Sequence, residues 1–183
     1  MEKNDIRRKI KAMRSMLLDI EKEVAAEEVF SRLENTAAFM VAQKILMYHS
    51  LPDELPTRKF LMKWKDRKQF YLPRVNGVNL EVLPYDESHL ELGSFHIEEP
   101  VGDNFIDPEE LELIVVPAVA YDRRGMRLGR GKGFYDRLLS HVKATKVGVG
   151  YDFQLFDEIP SEPHDVPMDL VITPRVVIGK PRH

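Results

Sequence analysis

The chain has no cysteine among its 183 residues, which excludes a disulfide framework and any thiolate metal site. It also lacks an excess of one charge. Its 27 Lys and Arg stand against 30 Asp and Glu, a formal net charge of −3, so no global basic field points to nucleic acid. No apolar run approaches the ~20 residues needed to span a bilayer. The opening stretch MEKNDIRRKIKAM mixes acids with bases and has no continuous apolar core of the kind a secretory signal needs. A cytoplasmic protein without nucleic-acid or membrane partners is expected. Repeats, low-complexity tracts and linkers are missing too, so residues 1–183 are expected to form a single domain, and that length can bury a substantial core.

What is present alternates between helical and extended patterns. Residues 3–34 read as helix, with Ile6, Ile10, Met13, Leu17, Ile20 and Val24 spaced to line one face. Asp19, followed by Glu21 and Glu23, can cap a second helix, so the segment is one long helix or two with a bend. ILMYHSL (45–51) reads as a buried strand entering a loop at Pro52, and Thr57 can cap a helix over RKFLMKWKDR. FYLPRV (70–75) and LEVLPY (80–85) read as strands around an Asn76-Gly77 turn, placed toward an edge by Pro73 and Pro84. ELIVVPAVAYD (112–122) supplies a central strand up to Pro117, and KVGVGYD (146–152) and DLVIT (169–173) supply two more. Together these imply an α/β fold, a mainly parallel sheet flanked by helices. In such sheets ligands sit at the carboxyl ends of strands, where the polar loops after residues 49, 121 and 151 fall.

The densest chemical signal is RLGRGKGFYDRLL (127–139). Gly129, Gly131 and Gly133 alternate with Arg130 and Lys132, and a helix start follows. A Walker A loop fails, because Gly133 follows Lys132 and Met126 stands where the earlier glycine belongs. A dinucleotide fingerprint fails at Phe134, and no strand is expected directly before the loop. The physical logic of an anion site remains. Glycines let backbone amides close on an oxyanion, and the amides of a helix start add positive potential. From Asp122 to Arg137 there are six basic residues and two acids. A solvated, glycine-rich turn is the structural alternative. Asp136 reads either as a helix-dipole partner or as a magnesium ligand, since magnesium takes one or two carboxylates beside phosphate oxygens.

VPAVAYDRRGMRLGRGKGFYDRLL (116–139) closely resembles the signature of the 5-formyltetrahydrofolate cyclo-ligase family. The likeness begins at Lys3-x-x-x-Arg7 and continues through SLPDELPT (50–57), VGVGYDFQ (147–154) and HDVPMDLVIT (164–173). The resemblance implies a fold similar to the sugar-phosphate isomerase and CoA-transferase type. It also implies an ATP- and magnesium-dependent ligase that converts 5-formyltetrahydrofolate, with or without a polyglutamate tail, to 5,10-methenyltetrahydrofolate, releasing ADP and phosphate. By match to the family pattern, ATP is held by Lys3, Arg7 and the run Arg127, Leu128, Gly129, Arg130, Gly131, Lys132, Gly133, Phe134 and Tyr135. Folate contacts fall on His49, Glu54 and the shared stretch Arg130 to Phe134, including Gly131, Lys132 and Gly133. Arg130 and Lys132 take the catalytic role, Asp136 and Asp165 match the Mg2+ ligands, and a monomer is expected.

The implied chemistry needs alignment and charge neutralisation and no protein nucleophile, because phosphorylation turns the formyl oxygen into a leaving group. Three features depart from the family pattern. Phe134-Tyr135 replaces Tyr-Tyr, residues 97–100 read Ile-Glu-Glu-Pro instead of Ile-Pro-Glu-Pro, and His49 stands at a commonly apolar position. Two other readings are compatible with a phosphate loop on this fold. One is a sugar-phosphate isomerase-like enzyme, with Glu54 or Asp122 as general base. The other is a non-catalytic sensor of a phospho-ligand or folate.

Overall fold

In the central strand Leu113–Val116 every residue is apolar and buried and successive side chains face opposite layers, as burial on both faces of a parallel sheet requires. The computed structural model describes residues 1–86, 90–92 and 98–179, and these form twelve strands, seven of them in one sheet. In chain order they are β1 (Lys44–Leu46), β2 (Gln69–Asn76), β3 (Asn79–Pro84), β4 (Leu90–Leu92), β5 (Glu98–Pro100), β6 (Leu113–Val116), β7 (Ala120–Asp122), β8 (Arg127–Leu128), β9 (Thr145–Val149), β10 (Leu155–Phe156), β11 (Leu170–Ile172) and β12 (Val177–Gly179). The main sheet runs β12-β11-β9-β6-β1-β2-β3. Its four inner pairings are parallel, and both edge strands, β3 and β12, are antiparallel. The central position expected for residues up to Pro117 is that of β6, between β1 and β9. Position 97 of the altered Ile-Glu-Glu-Pro stretch lies outside the described residues.

Among the described residues five α-helices flank the sheet: α1 (Lys3–Ser15), α2 (Asp19–Glu34), α3 (Ala37–Val41), α4 (Arg58–Trp64) and α5 (Phe134–Leu139). Ile45, Leu113, Val115 and Val147 pack on one face against Val29, Phe30 and Leu33 of α2 and Phe60 of α4. Leu46, Ile114, Val116 and Val171 pack on the other against Leu138 and Leu139 of α5. A small sheet, β10-β7-β8, forms a third cluster, and Ile6 and Ile10 of α1 pack onto its Ala120 and Leu128. Burying those two isoleucines contributes about 2 kcal/mol each toward docking α1.

Several local expectations are corrected. The apolar row from Ile6 does not continue through Val24. The chain leaves helix after Ser15, so Ile20 and Val24 emerge 67% and 49% exposed, and Ala26, Val29, Phe30 and Leu33 form the buried face of α2 instead. The break shifts the helical phase, which spacing across it cannot register. Asp19 is the first residue of α2 and not its cap; the Leu18 N–H there donates to Glu21 Oε1 at 2.9 Å. Thr57 does precede α4, but its hydroxyl donates to the Tyr48 carbonyl at 3.1 Å and makes no cap bond. The edge placement from proline holds for β3. In β2, Pro73 lies beyond the three residues that pair with β1, so its missing N–H leaves that ladder intact. Among the described residues no helix is long and apolar enough to cross a membrane.

Candidate functional site

β7 and β8 are antiparallel, and the turn between them is closed by the fully buried Asp122. Its Oδ1 accepts the Arg124 and Met126 N–H groups at 2.9 and 3.1 Å, and its Oδ2 accepts Arg124 Nη2 and the Ile159 N–H at 3.0 and 3.1 Å. Four donors saturate this carboxylate, so Asp122 holds a turn and has no lone pair to spare as a base. β8 then runs straight into Gly129, so a strand does end directly before the loop. The sequence shows no sign of it, because two residues make no periodicity.

Within the loop, neighbouring residues divide sharply between frame and surface. Arg127 is turned inward: Nε and Nη2 donate to the Pro117 carbonyl at 3.3 and 3.2 Å, and Nη1 to Asp136 Oδ1 at 3.4 Å. Its guanidinium lies 5.3 Å from the ring centre of Tyr135. Leu128 packs with Ile6 and Ile10, and its carbonyl accepts the Val119 N–H. Arg130, Gly131 and Lys132 are exposed. Gly131 (φ +107°) and Gly133 (φ +73°) adopt the left-handed region that side chains resist, and Gly133 is the N-cap of α5. Phe134 is half-buried, with the Arg137 guanidinium 5.6 Å from its ring centre, and Arg137 Nη2 also donates to the Lys132 carbonyl at 2.9 Å.

Three distant segments converge on this loop. Arg7 Nε donates to the Gly129 carbonyl at 3.0 Å, which fixes α1 to the loop. Lys3 pairs with Glu162 at 3.2 Å, and the Glu162 N–H donates to Asp165 Oδ2 at 2.8 Å. Between the start of α1 and residues 160–162 runs a groove of about 560 Å³ lined by Lys3 and Arg7. Arg130 reaches across to the segment after β1, where Asp53 accepts Nη2 at 3.1 and 3.3 Å and Glu54 Oε2 lies 3.9 Å away.

That segment, residues 50–57, is tightly anchored. The Tyr151 hydroxyl donates to the Glu54 carbonyl at 3.2 Å, and the Tyr48 hydroxyl to that of Leu55 at 3.1 Å. The Glu54 side chain is buried, with Oε1 accepting the Leu51 N–H at 2.9 Å. Burial pushes its carboxyl above the usual range, against the opposing pull of that N–H and of Arg130 and Arg14. His49 is half-buried at the end of the extended segment after β1. The site therefore gathers at the carboxyl ends of β1, β6 and β9, as the fold class demands. The contribution after β6 comes from residues 117–119, however, and not from the turn after residue 121, which is the tip of the β7–β8 hairpin.

Two residues that sequence reasoning did not single out belong to this constellation. Arg14, 4% exposed, donates Nη2 to the Ala118 carbonyl at 2.8 Å and Nη1 to Asp53 at 3.4 Å. The available signal was a cation continuing the apolar row Ile6, Ile10 at four-residue spacing. Asp53 itself, beside Glu54, gave none.

Asp136 and Asp165 are the carboxylates matched to magnesium. Arg127 engages only Oδ1 of Asp136, whose side chain is 31% exposed. Asp165 accepts the Glu162 N–H through one oxygen while the other lies 3.6 Å from His164 Nε2. Among the described residues no cluster of three or more His, Cys, Asp or Glu gathers to hold an ion. An all-protein cage is thus missing, but a site of one or two carboxylates completed by phosphate and water fits this donor set.

The fold and site define an α/β protein in which a cationic glycine loop faces a buried carboxylate across an arginine. Residues 1–174 match the family model described as the 5-formyltetrahydrofolate cyclo-ligase family, and the chain belongs to that family. It is similar to the 5-formyltetrahydrofolate cyclo-ligase of Escherichia coli (strain K12), 31% identical over 178 residues, covering 92% of this chain and 98% of the relative. The NMR structure of Aquifex aeolicus 5,10-methenyltetrahydrofolate synthetase superposes with a TM-score of 0.90 at 34% identity, covering 100% of this chain and 95% of that one. The structure of a 5,10-methenyltetrahydrofolate synthetase from Mycoplasma pneumoniae, 24% identical with a TM-score of 0.79 over 95% of this chain and 99% of that one, shares the fold.

Proposed function

We propose that the protein is an enzyme that closes the five-membered ring of 5,10-methenyltetrahydrofolate from 5-formyltetrahydrofolate, using ATP as co-substrate. The observation that carries this reading is the bridge from Arg130 to the Asp53-Glu54 pair, which sets an anion-binding loop beside a buried carboxylate. Glu54 Oε2 is placed to accept hydrogen bonds from an aminopyrimidine edge and so to orient the pterin. Lys3, Arg7, Lys132 and the amides of residues 129–133 would hold the triphosphate along the groove beside α1. Phe134 and Tyr135 would flank the bound nucleotide, while Arg127 and Leu128 act from beneath the loop as its frame. His49, at the mouth of the 50–57 segment, would line the folate side.

In the reaction the formyl oxygen attacks the γ-phosphorus and ADP leaves. The second folate nitrogen then attacks the activated carbon, loses its proton, and phosphate departs with the former formyl oxygen. Arg130 and Lys132 supply positive charge to the oxygens of the moving phosphoryl group, which is the main demand such a transfer makes on a protein. Magnesium, held by Asp136 and Asp165, would neutralise phosphate charge when bound. The same reading takes residues 1–183 as one cyclo-ligase domain, acting as a monomer, and the parallel core as similar to the sugar-phosphate isomerase and CoA-transferase type. The isomerase alternative finds no support at Asp122, whose lone pairs are all engaged.

The test is the absorbance of methenyltetrahydrofolate formed from 5-formyltetrahydrofolate. Product is expected only when ATP and magnesium are both present; ATP-independent turnover of a sugar phosphate in its place supports an isomerase, and folate binding without turnover a sensor.

A further inference from the structure

Arg14 is a cation in a row that otherwise serves the core. Ile6, Ile10 and Arg14 follow one another at four-residue spacing on α1 and are all buried. Keeping a guanidinium there is costly, and among the described residues its Nε has no hydrogen-bond partner. The Ala118 carbonyl does not need it, because Gln154 Nε2 already donates to that oxygen at 2.9 Å. What Arg14 alone supplies is a fixed positive charge against Asp53 Oδ2. Asp53 is therefore shared between two arginines of opposite character. Arg14 is locked in the core, and Arg130 is half exposed on the glycine loop.

We propose that Arg14 is a positioning residue that clamps Asp53, and with it the adjacent Glu54, while Arg130 moves between Asp53 and the phosphates of the nucleotide. The inference rests on the cyclo-ligase reading. Once Arg130 turns to the triphosphate, Asp53 loses one of its two cations and stands as an acid beside the Glu54 carboxylate. Held by Arg14, it stays in place, and the pterin-facing oxygen of Glu54 keeps its position through the nucleotide cycle. Without Arg14, repulsion and lost anchoring displace the segment during the step in which folate must be aligned.

The experiment compares wild type, Arg14→Met, Asp53→Asn and the double variant in KM for each substrate, kcat and Tm. Methionine suits the apolar row, so Tm is expected to stay within a few degrees. Each single change is expected to raise the folate KM about ten-fold or more and to move the ATP KM less than about two-fold. The double variant should be no worse than the worse single one, because both remove the same contact. Arg14→Lys, which keeps charge, should recover part of the loss. Unchanged folate KM, or effects that multiply in the double variant, overturns the clamp; so does a Tm loss that accounts for the lost activity. Should Arg14→Met not fold, the Lys and Asn variants carry the same comparison. Should wild type show no ATP-dependent turnover, the ligase reading fails separately, and hydrogen exchange of the Leu51, Asp53, Glu54 and Leu55 amides in the free protein decides. Faster exchange there in Arg14→Met, with protection elsewhere intact, supports the clamp, and unchanged exchange refutes it.

Discussion

Residues 50–57 and 129–133 face each other across the bridge from Arg130 to Asp53 and Glu54 and are built on opposite plans. The first segment is fixed at nearly every step: hydroxyls of Tyr48, Thr57 and Tyr151 are all spent on main-chain carbonyls, and Glu54 and Leu55 are buried. The second is exposed at its centre, holds two left-handed glycines, and is held from outside by Arg7 on the Gly129 carbonyl and Arg137 on that of Lys132. A flat heterocycle is recognised by groups already in place, whereas a triphosphate whose terminal group departs needs donors that can follow it. The contrast predicts that loss of the buried bonds anchoring the 50–57 backbone appears first as lost stability, and damage to the glycine loop or to the exposed Asp53 contacts as lost rate or substrate affinity.

The largest effect expected on that contrast is from Lys132→Ala. On the proposed role of Lys132 in phosphoryl transfer, its removal should lower kcat by about 10²–10³-fold, with Tm nearly unchanged because an exposed side chain buries little. Parallel loss of both would erase the distinction between the loops. Thr57→Val attacks the other side. Its buried hydroxyl bond to Tyr48 leaves an unsatisfied carbonyl when lost, which should cost about 1–3 kcal/mol, or several degrees in a thermal melt. Gly133→Ala sharpens the comparison, since a side chain at φ +73° is strained by about 1–2 kcal/mol wherever it sits. Its Cβ would also lie 2.9 Å from Arg137 Nη1, so the ATP KM should rise along with a modest fall in Tm.

The smallest effect is one of pH. The folded protein holds the Glu54 proton to higher pH than the unfolded chain, so stability falls as pH rises from the ordinary carboxylate value to the raised one. The slope of this contribution cannot exceed about 1.4 kcal/mol per pH unit for one proton. Over the same window folate affinity should climb, because the anion accepts the pterin hydrogen bonds. Comparing denaturation and folate binding of wild type and Glu54→Gln across that range checks both signs, and the variant should show neither slope.

The buried strands and the glycine loop were legible because their signals are local. Runs such as Leu113–Val116 can only be buried, and three alternate glycines among cations state their own geometry. What was illegible depends on distant partners. Nothing near Arg127 reveals that the Pro117 carbonyl and Asp136 will draw it inward, while Arg130, three residues on, stays out. Arg14 and Asp53 meet across 39 residues, and Thr57 spends its hydroxyl on Tyr48 instead of on the helix it precedes. Ile20 and Val24 misled because a phase change between helices preserves the appearance of a continuous row.

The bond from Arg7 to Gly129 spans 122 positions, and that from Lys3 to Glu162 spans 159. On the ribosome, α1 emerges long before anything it can dock onto, and at about 5–20 residues per second it waits several seconds for its partners. Its isoleucine row is exposed for that interval, and the groove beside α1 is completed only once residues 160–162 have been made. A bulky amino-terminal fusion should therefore spare the central sheet and still delay or weaken the acquisition of ATP binding.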